Sequence, residues 1–190
     1  DYASVVGGIA VGTGDLSELA LGWCTYNGDH MSMYGVNGSV PKTLIPHMIT
    51  VLANDERFQS ARDSLLDVVA TPISPELLPP DASGKITQQT EDLVGPYALH
   101  DFFLYYLLNY SYTPTKIYHL ACRAFCGEYD AATIKKWLSV FYRRFFSQQF
   151  KRSCMPEGVK VGSVCLSPRG DWRMPSDASV AVWLREIEKL

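Results

Sequence analysis

The residues best suited to chemistry lie in one run, Val11 to Asp29 (VGTGDLSELALGWCTYNGD). An apolar, β-prone stretch of Ile9, Ala10 and Val11 leads into Gly12-Thr13-Gly14 and then into a helical pattern. Glycines there let the backbone turn tightly and approach a ligand closely. Amides at the start of the next helix can face an anion. Thr13, Asp15, Ser17 and Glu18 bring hydroxyls and carboxylates to the same point. A strand–loop–helix equipped in this way can hold a nucleotide phosphate or the Mg²⁺ carried on it. The same residues also fit a plain structural role, with Thr13 or Asp15 capping the helix and Glu18 complementing its dipole. Taken alone, they leave both roles open.

The elements that must position these groups are mostly helices. Asp15 to Thr25 is predicted helical and is broken by Asn27-Gly28-Asp29. Residues 30–40, rich in Gly and Ser, are predicted to form a loop. Pro41 opens a helix that runs to about Ala53, and another spans Glu56 to Val69. Thr71 to Pro80 is proline-rich and must be irregular, while Ser83 to Gly95 reads as a polar linker or lid-type loop. Four further helices are predicted, over Tyr97 to Asn109, Pro114 to Phe125, Ala131 to Gln149 and Ser176 to Lys189. Asp130 caps the third of these. The basic stretch Gly158 to Pro175 is loop-like. Aromatic residues recur at helical spacing through Phe102, Phe103, Tyr105, Tyr106, Trp137, Phe141, Phe145 and Phe146, as expected for a core or a dimer interface.

Composition narrows the class. The chain has 190 residues, enough for one domain with a real core, and its 47% hydrophobic and 19% charged content is ordinary for a globular protein. A net charge of −3 argues against a nucleic-acid partner. Basic residues nevertheless gather locally at Arg143, Arg144, Lys151, Arg152, Arg169 and Arg173, which suits a small phosphorylated ligand. Arg143 and Arg144 also fit a solvated helix face. Cys122 and Cys126 sit one helical turn apart with no second pair to complete a zinc site, and are expected to be small buried hydrophobes. Five cysteines without paired spacing suggest a reducing, cytoplasmic setting. No apolar run reaches membrane-spanning length and no membrane partner is expected.

The motif GTGDLSELALGW, followed by TYNGDHMSMYGVNGSVPKTL, resembles the synthetase domain of glutamine-dependent NAD synthetases. Two later blocks, SQQFKRSCMPEG and LSPRGDWRMPSDAS, resemble the same family and fall in its order. The likeness implies an α/β fold, the Rossmann-like adenine-nucleotide α-hydrolase-like domain, of which residues 1–190 would be the C-terminal and mostly helical portion. No Ser-Gly-Gly-x-Asp-Ser phosphate loop occurs in the sequence. That loop and a nitrilase-type amidase domain are therefore expected N-terminal to Asp1. The implied reaction is ATP-dependent amidation of deamido-NAD, with ammonia drawn from glutamine, Mg²⁺ as cofactor, and AMP and pyrophosphate released. Such chemistry works by positioning and charge and needs no covalent nucleophile from the protein.

The resemblance also implies roles residue by residue. Thr13, Lys42 and Ser74 correspond to ATP-contacting positions. Glu18, Trp23 and Lys151 correspond to the deamido-NAD site, and Glu18 also to the metal. The chain departs from the ammonia-only branch at Met33, where that branch has aspartate, and at Phe150, where it has histidine. Both residues resemble the glutamine-dependent branch. A homo-oligomer through the aromatic helices is expected. The alternatives are another ATP-pyrophosphatase-type adenylating enzyme, similar to GMP synthetase, or a non-catalytic helical interaction module.

Overall fold

The computed structural model describes residues 2–71 and 93–190, which fall into two compact units. The first comprises Asp1–Lys42 and Leu99–Leu190, the second Thr43–Ala98.

The first unit opens with a helix, α1 (Tyr2–Val6). The expected strand follows as β1 (Val11–Gly12). It pairs in parallel with β2 (Tyr34–Gly35), with Val11 opposite Tyr34 and Gly12 opposite Gly35. Residues 30–40 are thus not all loop. Gly35 also donates its N–H to the Glu157 carbonyl at 2.7 Å, which ties the pair to the chain far downstream.

Between the strands lies α2 (Leu16–Leu21), shorter than the predicted Asp15–Thr25. It stops because Gly22 turns left-handed, with φ 60°, a conformation that glycine adopts without penalty. Five of its six residues are buried, Leu16, Leu19 and Leu21 among them.

The scaffold beneath α2 is helical. It consists of α5 (Tyr97–Tyr110), α6 (Pro114–Ala124), α7 (Ala131–Ser147), α8 (Gln149–Ser153) and α9 (Ala181–Glu188). Asp130 caps α7 as predicted, accepting from the Thr133 amide at 2.6 Å. On α7, Ile134, Leu138, Phe141 and Phe145 are fully buried at the i, i+4, i+7, i+11 spacing of a core-facing stripe. The predicted helix to Gln149 breaks one residue early, at Gln148, and resumes as α8. The last helix starts at Ala181 and not at Ser176. Among the aromatics, Phe103, Phe141 and Phe145 are buried within the chain, while Tyr105 and Tyr110 remain about half exposed. Cys126 is exposed and Cys122 half-buried, so the expected buried pair is corrected. Cys126 lies just beyond the end of α6, in a turn whose following Gly127 has φ 87°.

The second unit contains a helical hairpin. A short 3₁₀ turn (Lys42–Leu44) leads into α3 (Ile45–Ala53), and another 3₁₀ segment (Glu56–Ala61) leads into α4 (Arg62–Ala70). Asp55 organises the connection by accepting from the Arg57 amide and from its guanidinium. The stretches predicted as irregular (Thr71 to Pro80) and as a polar loop (Ser83 to Gly95) lie almost wholly outside the described residues, and Ser74 with them.

A side chain at position 22 would be doubly penalised. The backbone there is left-handed, and a Cβ would overlap the Gln148 side chain. Gly22→Ala is expected to destabilise the chain by roughly 2 kcal/mol or more, measured by chemical denaturation against the wild type.

Candidate functional site

The site is built around the two ends of α2. At the N-terminal end, Asp15 and Glu18 form a reciprocal capping box. Asp15 Oδ1 accepts from the Glu18 amide at 2.9 Å, and Glu18 Oε2 accepts from the Asp15 amide at 3.1 Å. This leaves one oxygen free on each carboxylate, and Lys42 takes both. Its Nζ lies 3.0 Å from Asp15 Oδ2 and 2.6 Å from Glu18 Oε1. The Asp15 side chain is only 1% exposed, against 23% for Glu18 and 19% for Lys42. Ser17 adds a backbone anchor, since its Oγ accepts the Lys42 amide at 2.9 Å and donates to Asp101 of α5.

Electrostatics follow from this packing. Burial, and after it the neighbouring Glu18 charge, raises the Asp15 carboxyl to about 6 against the pull of Lys42. For the Lys42 ammonium, burial works against the charge, but Asp15 and Glu18 outweigh it and hold the group above its ordinary value.

At the C-terminal end, three cations from α7 and α8 meet the helix carbonyls. Arg144 Nε donates to Leu21 at 2.9 Å. Lys151 Nζ donates to Gly22 at 2.8 Å and to Cys24 at 2.6 Å. Arg152, with 0% exposure, donates to Leu19 at 3.1 Å, to Ala20 at 2.9 Å, to Gln149 Oε1 at 2.9 Å and to the Phe145 carbonyl. Its guanidinium also lies 4.4 Å from the Phe145 ring centroid. Burial lowers the Arg152 pKa to about 9, which leaves it charged at neutral pH. The local cluster of basic residues is therefore partly internal. Arg144 is not on a solvated face, and Arg169 pairs with Glu157 at 2.8 Å.

A cleft of about 660 Å³, counting its open mouth, lies within the first unit. It is lined by Gly12, Gly14, Glu18, His30, Ser39 and Glu157, among others. His30 is fixed there: Nδ1–H donates to the Thr25 carbonyl at 2.9 Å, and Nε2 faces Cys154 Sγ at 3.3 Å. Cys24 also lines the cleft, and burial pushes its thiol up to about 11. It stays protonated at neutral pH and is a poor nucleophile.

Of the residues singled out from sequence, Glu18 lines this cleft and Lys42 is bound to it. Thr13 is exposed between the lining glycines Gly12 and Gly14. Trp23 stands at the other end of α2, with the Arg144 guanidinium 5.3 Å from its ring centroid. Lys151 is engaged on carbonyls of that same end. Phe150 packs against Tyr26 with ring centroids 5.2 Å apart, and Met33 is half exposed. Sequence reading missed Ser17 as an anchor for Lys42. The Asp-x-x-Glu spacing in DLSE was the available signal for the reciprocal box. Nothing local in the sequence signalled that Arg152 would be interior.

Among the described residues, no group of three or more metal-ligating side chains converges. Of Asp15 and Glu18, only Glu18 lines the cleft; Asp15 is buried, with its oxygens committed to the Glu18 amide and to Lys42. A single lining carboxylate suits Mg²⁺, which keeps several waters and is bound through one or two carboxylates together with substrate phosphates. Among the described residues, no helix is long and apolar enough to cross a membrane.

No family model matches the chain. Curated relatives do match it closely. The chain is 47% identical over 203 aligned positions to the glutamine-dependent NAD(+) synthetase of Mycobacterium leprae, and 46% identical to those of Mycobacterium bovis and Mycobacterium tuberculosis. In each case 96% of this chain is covered. The chain is homologous to a segment of the glutamine-dependent NAD(+) synthetases. It spans about 30% of the length of these synthetases. A crystal structure of a glutamine-dependent NAD(+) synthetase from Cytophaga hutchinsonii shares the fold, with a TM-score of 0.73 at 18% identity, covering 98% of this chain and 27% of that one.

The Arg152 geometry can be tested directly. Arg152→Lys keeps the charge but cannot span the Leu19, Ala20 and Phe145 carbonyls together. At least one buried carbonyl loses its partner, and the expected cost is about 2–4 kcal/mol, read from urea denaturation.

Proposed function

We propose that this chain forms part of the synthetase site of a glutamine-dependent NAD(+) synthetase. The substrate carboxylate of deamido-NAD attacks the α-phosphorus of ATP and pyrophosphate leaves. Ammonia drawn from glutamine then attacks the adenylated carbonyl and AMP leaves. In this reading the fold is a segment of a Rossmann-like adenine-nucleotide domain, with the parallel pair β1–β2 as its strand element. The phosphate loop and the amidase domain belong to other parts of the enzyme.

The observation that carries the proposal is the placement of Glu18 on the cleft with Lys42 bound beside it. Lys42 would bind ATP phosphates together with Thr13, whose hydroxyl lies in the adjoining glycine turn, and with Ser74. Glu18 would hold Mg²⁺, which offsets phosphate charge when bound, and would face deamido-NAD. Trp23 offers a flat indole for stacking. Lys151 would contact deamido-NAD, and doing so requires it to exchange at least one of its two carbonyl partners. The half-exposed Tyr105 and Tyr110 support a homo-oligomer through the aromatic helices. A cytoplasmic location fits five cysteines that are all unpaired.

Glu18→Gln is the decisive variant in the complete enzyme. Glutamine can still close the capping box, so the helix is preserved while the charge is removed. ATP-dependent amidation is expected to fall by about 100-fold or more while glutamine hydrolysis continues. Unchanged synthetase turnover would refute the assignment.

A further inference from the structure

We propose that Asp15 is the positioning residue that holds Lys42 beside the cleft carboxylate Glu18, an assignment that rests on the synthetase reading above. Among the described residues, Asp15 and Glu18 both hold the Lys42 ammonium, but they are not equivalent. Glu18 lines the cleft and is partly exposed, so it is the group that a ligand or metal can recruit. Asp15 is 1% exposed and has no such freedom. Its Oδ1 is fixed by the Glu18 amide and its Oδ2 by Lys42 Nζ. Its own amide is held by Glu18.

The mount behind Lys42 is equally fixed. Ser17 Oγ takes the Lys42 amide, and Val40 accepts the Leu16 amide at 3.0 Å. The backbone of Lys42 is thereby registered on the first turn of α2, and the ammonium is held by a carboxylate from that same turn. When Glu18 turns to a metal or substrate, Asp15 keeps the ammonium at the site and restrains its rotation on a long, flexible stem. Asp15 acts through Lys42 and touches no substrate itself.

Helix capping and lysine positioning can be separated by chemistry. Asparagine caps a helix about as well as aspartate, so Asp15→Asn retains the acceptor for the Glu18 amide. Its amide nitrogen would then face the Lys42 ammonium, donor against donor. In the complete enzyme, Asp15→Asn is expected to raise the KM for ATP about tenfold and leave the KM for deamido-NAD within about twofold, with a fall in melting temperature from the unpaired buried donor. Asp15→Ser also caps the helix but is too short to reach Lys42. It is expected to give the same kinetic pattern, and it serves if the Asn variant does not fold. Asp15→Glu, which keeps the charge, should recover much of the loss.

A double-mutant cycle decides whether the effect runs through Lys42. Lys42→Met should raise the KM for ATP, and Asp15→Asn should add nothing further in that background. If Lys42→Met raises the KM and Asp15→Asn does not, or if the two effects simply add, Asp15 is only a cap and the inference fails alone. If Lys42→Met leaves the KM for ATP unchanged, the ATP role of Lys42 fails, and the inference falls with it.

Discussion

A helix of six residues cannot persist in water on its own propensity, because nucleation costs more than so few hydrogen bonds return. Leu16–Leu21 is such a helix, and it persists because five of its residues are buried and opposite charges hold its two ends. Asp15 and Glu18 satisfy the orphan amides at its start. Arg144, Lys151 and Arg152 satisfy the carbonyls of Leu19, Ala20, Leu21, Gly22 and Cys24 at its finish. The signs match the helix dipole, with carboxylates at the positive end and cations at the negative end. The helix has the lining carboxylate of Glu18 in its first turn and Trp23 just past its last, so the geometry of the candidate site depends on this double clamp.

The energetics of the clamp are uneven. Hydrogen bonds to charged groups contribute about 1.5–3 kcal/mol each, but burying a guanidinium costs several kcal/mol. Arg152 is fully buried and makes four such bonds, so its large favourable and unfavourable contributions nearly offset. What it contributes is mainly geometry: α2, α7 and α8 are locked to one another through a rigid planar fork. Lys42 at the other end is partly exposed and is held by the Asp15 and Glu18 carboxylates beside the cleft. The protein thus places its fully buried cation away from the cleft and its partly exposed one beside the cleft carboxylate Glu18.

Much of this was legible in the sequence, and the failures have physical causes. The α7 stripe Ile134, Leu138, Phe141 and Phe145 and its Asp130 cap follow from helical periodicity and cap chemistry. The end of α2 at Gly22 was missed because the pattern LALGWCT continues to look helical unless the glycine is given its left-handed role. The Tyr34–Gly35 strand was missed because two residues in a Gly- and Ser-rich stretch carry no alternation. Its pairing with Val11–Gly12 is a tertiary fact. The cluster of arginines and lysines was legible as a charge cluster but not as a cap for a helix more than a hundred residues earlier, since no local pattern encodes a contact of that range. The DLSE box was fully local, and its dual use, capping the helix while also gripping Lys42, required the structure.

Hydrogen exchange across residues 16–24 tests the double clamp most directly. If both ends are held as described, the amides of Leu19 and Trp23, which donate to Asp15 and Glu18 carbonyls, open only with the core. They should then show protection comparable to that of the buried stretch of α7. Exchange of these amides at a rate close to that of an unstructured chain, while α7 stays protected, would contradict the account, because α2 would then open on its own and the charges at its ends would not be what holds it.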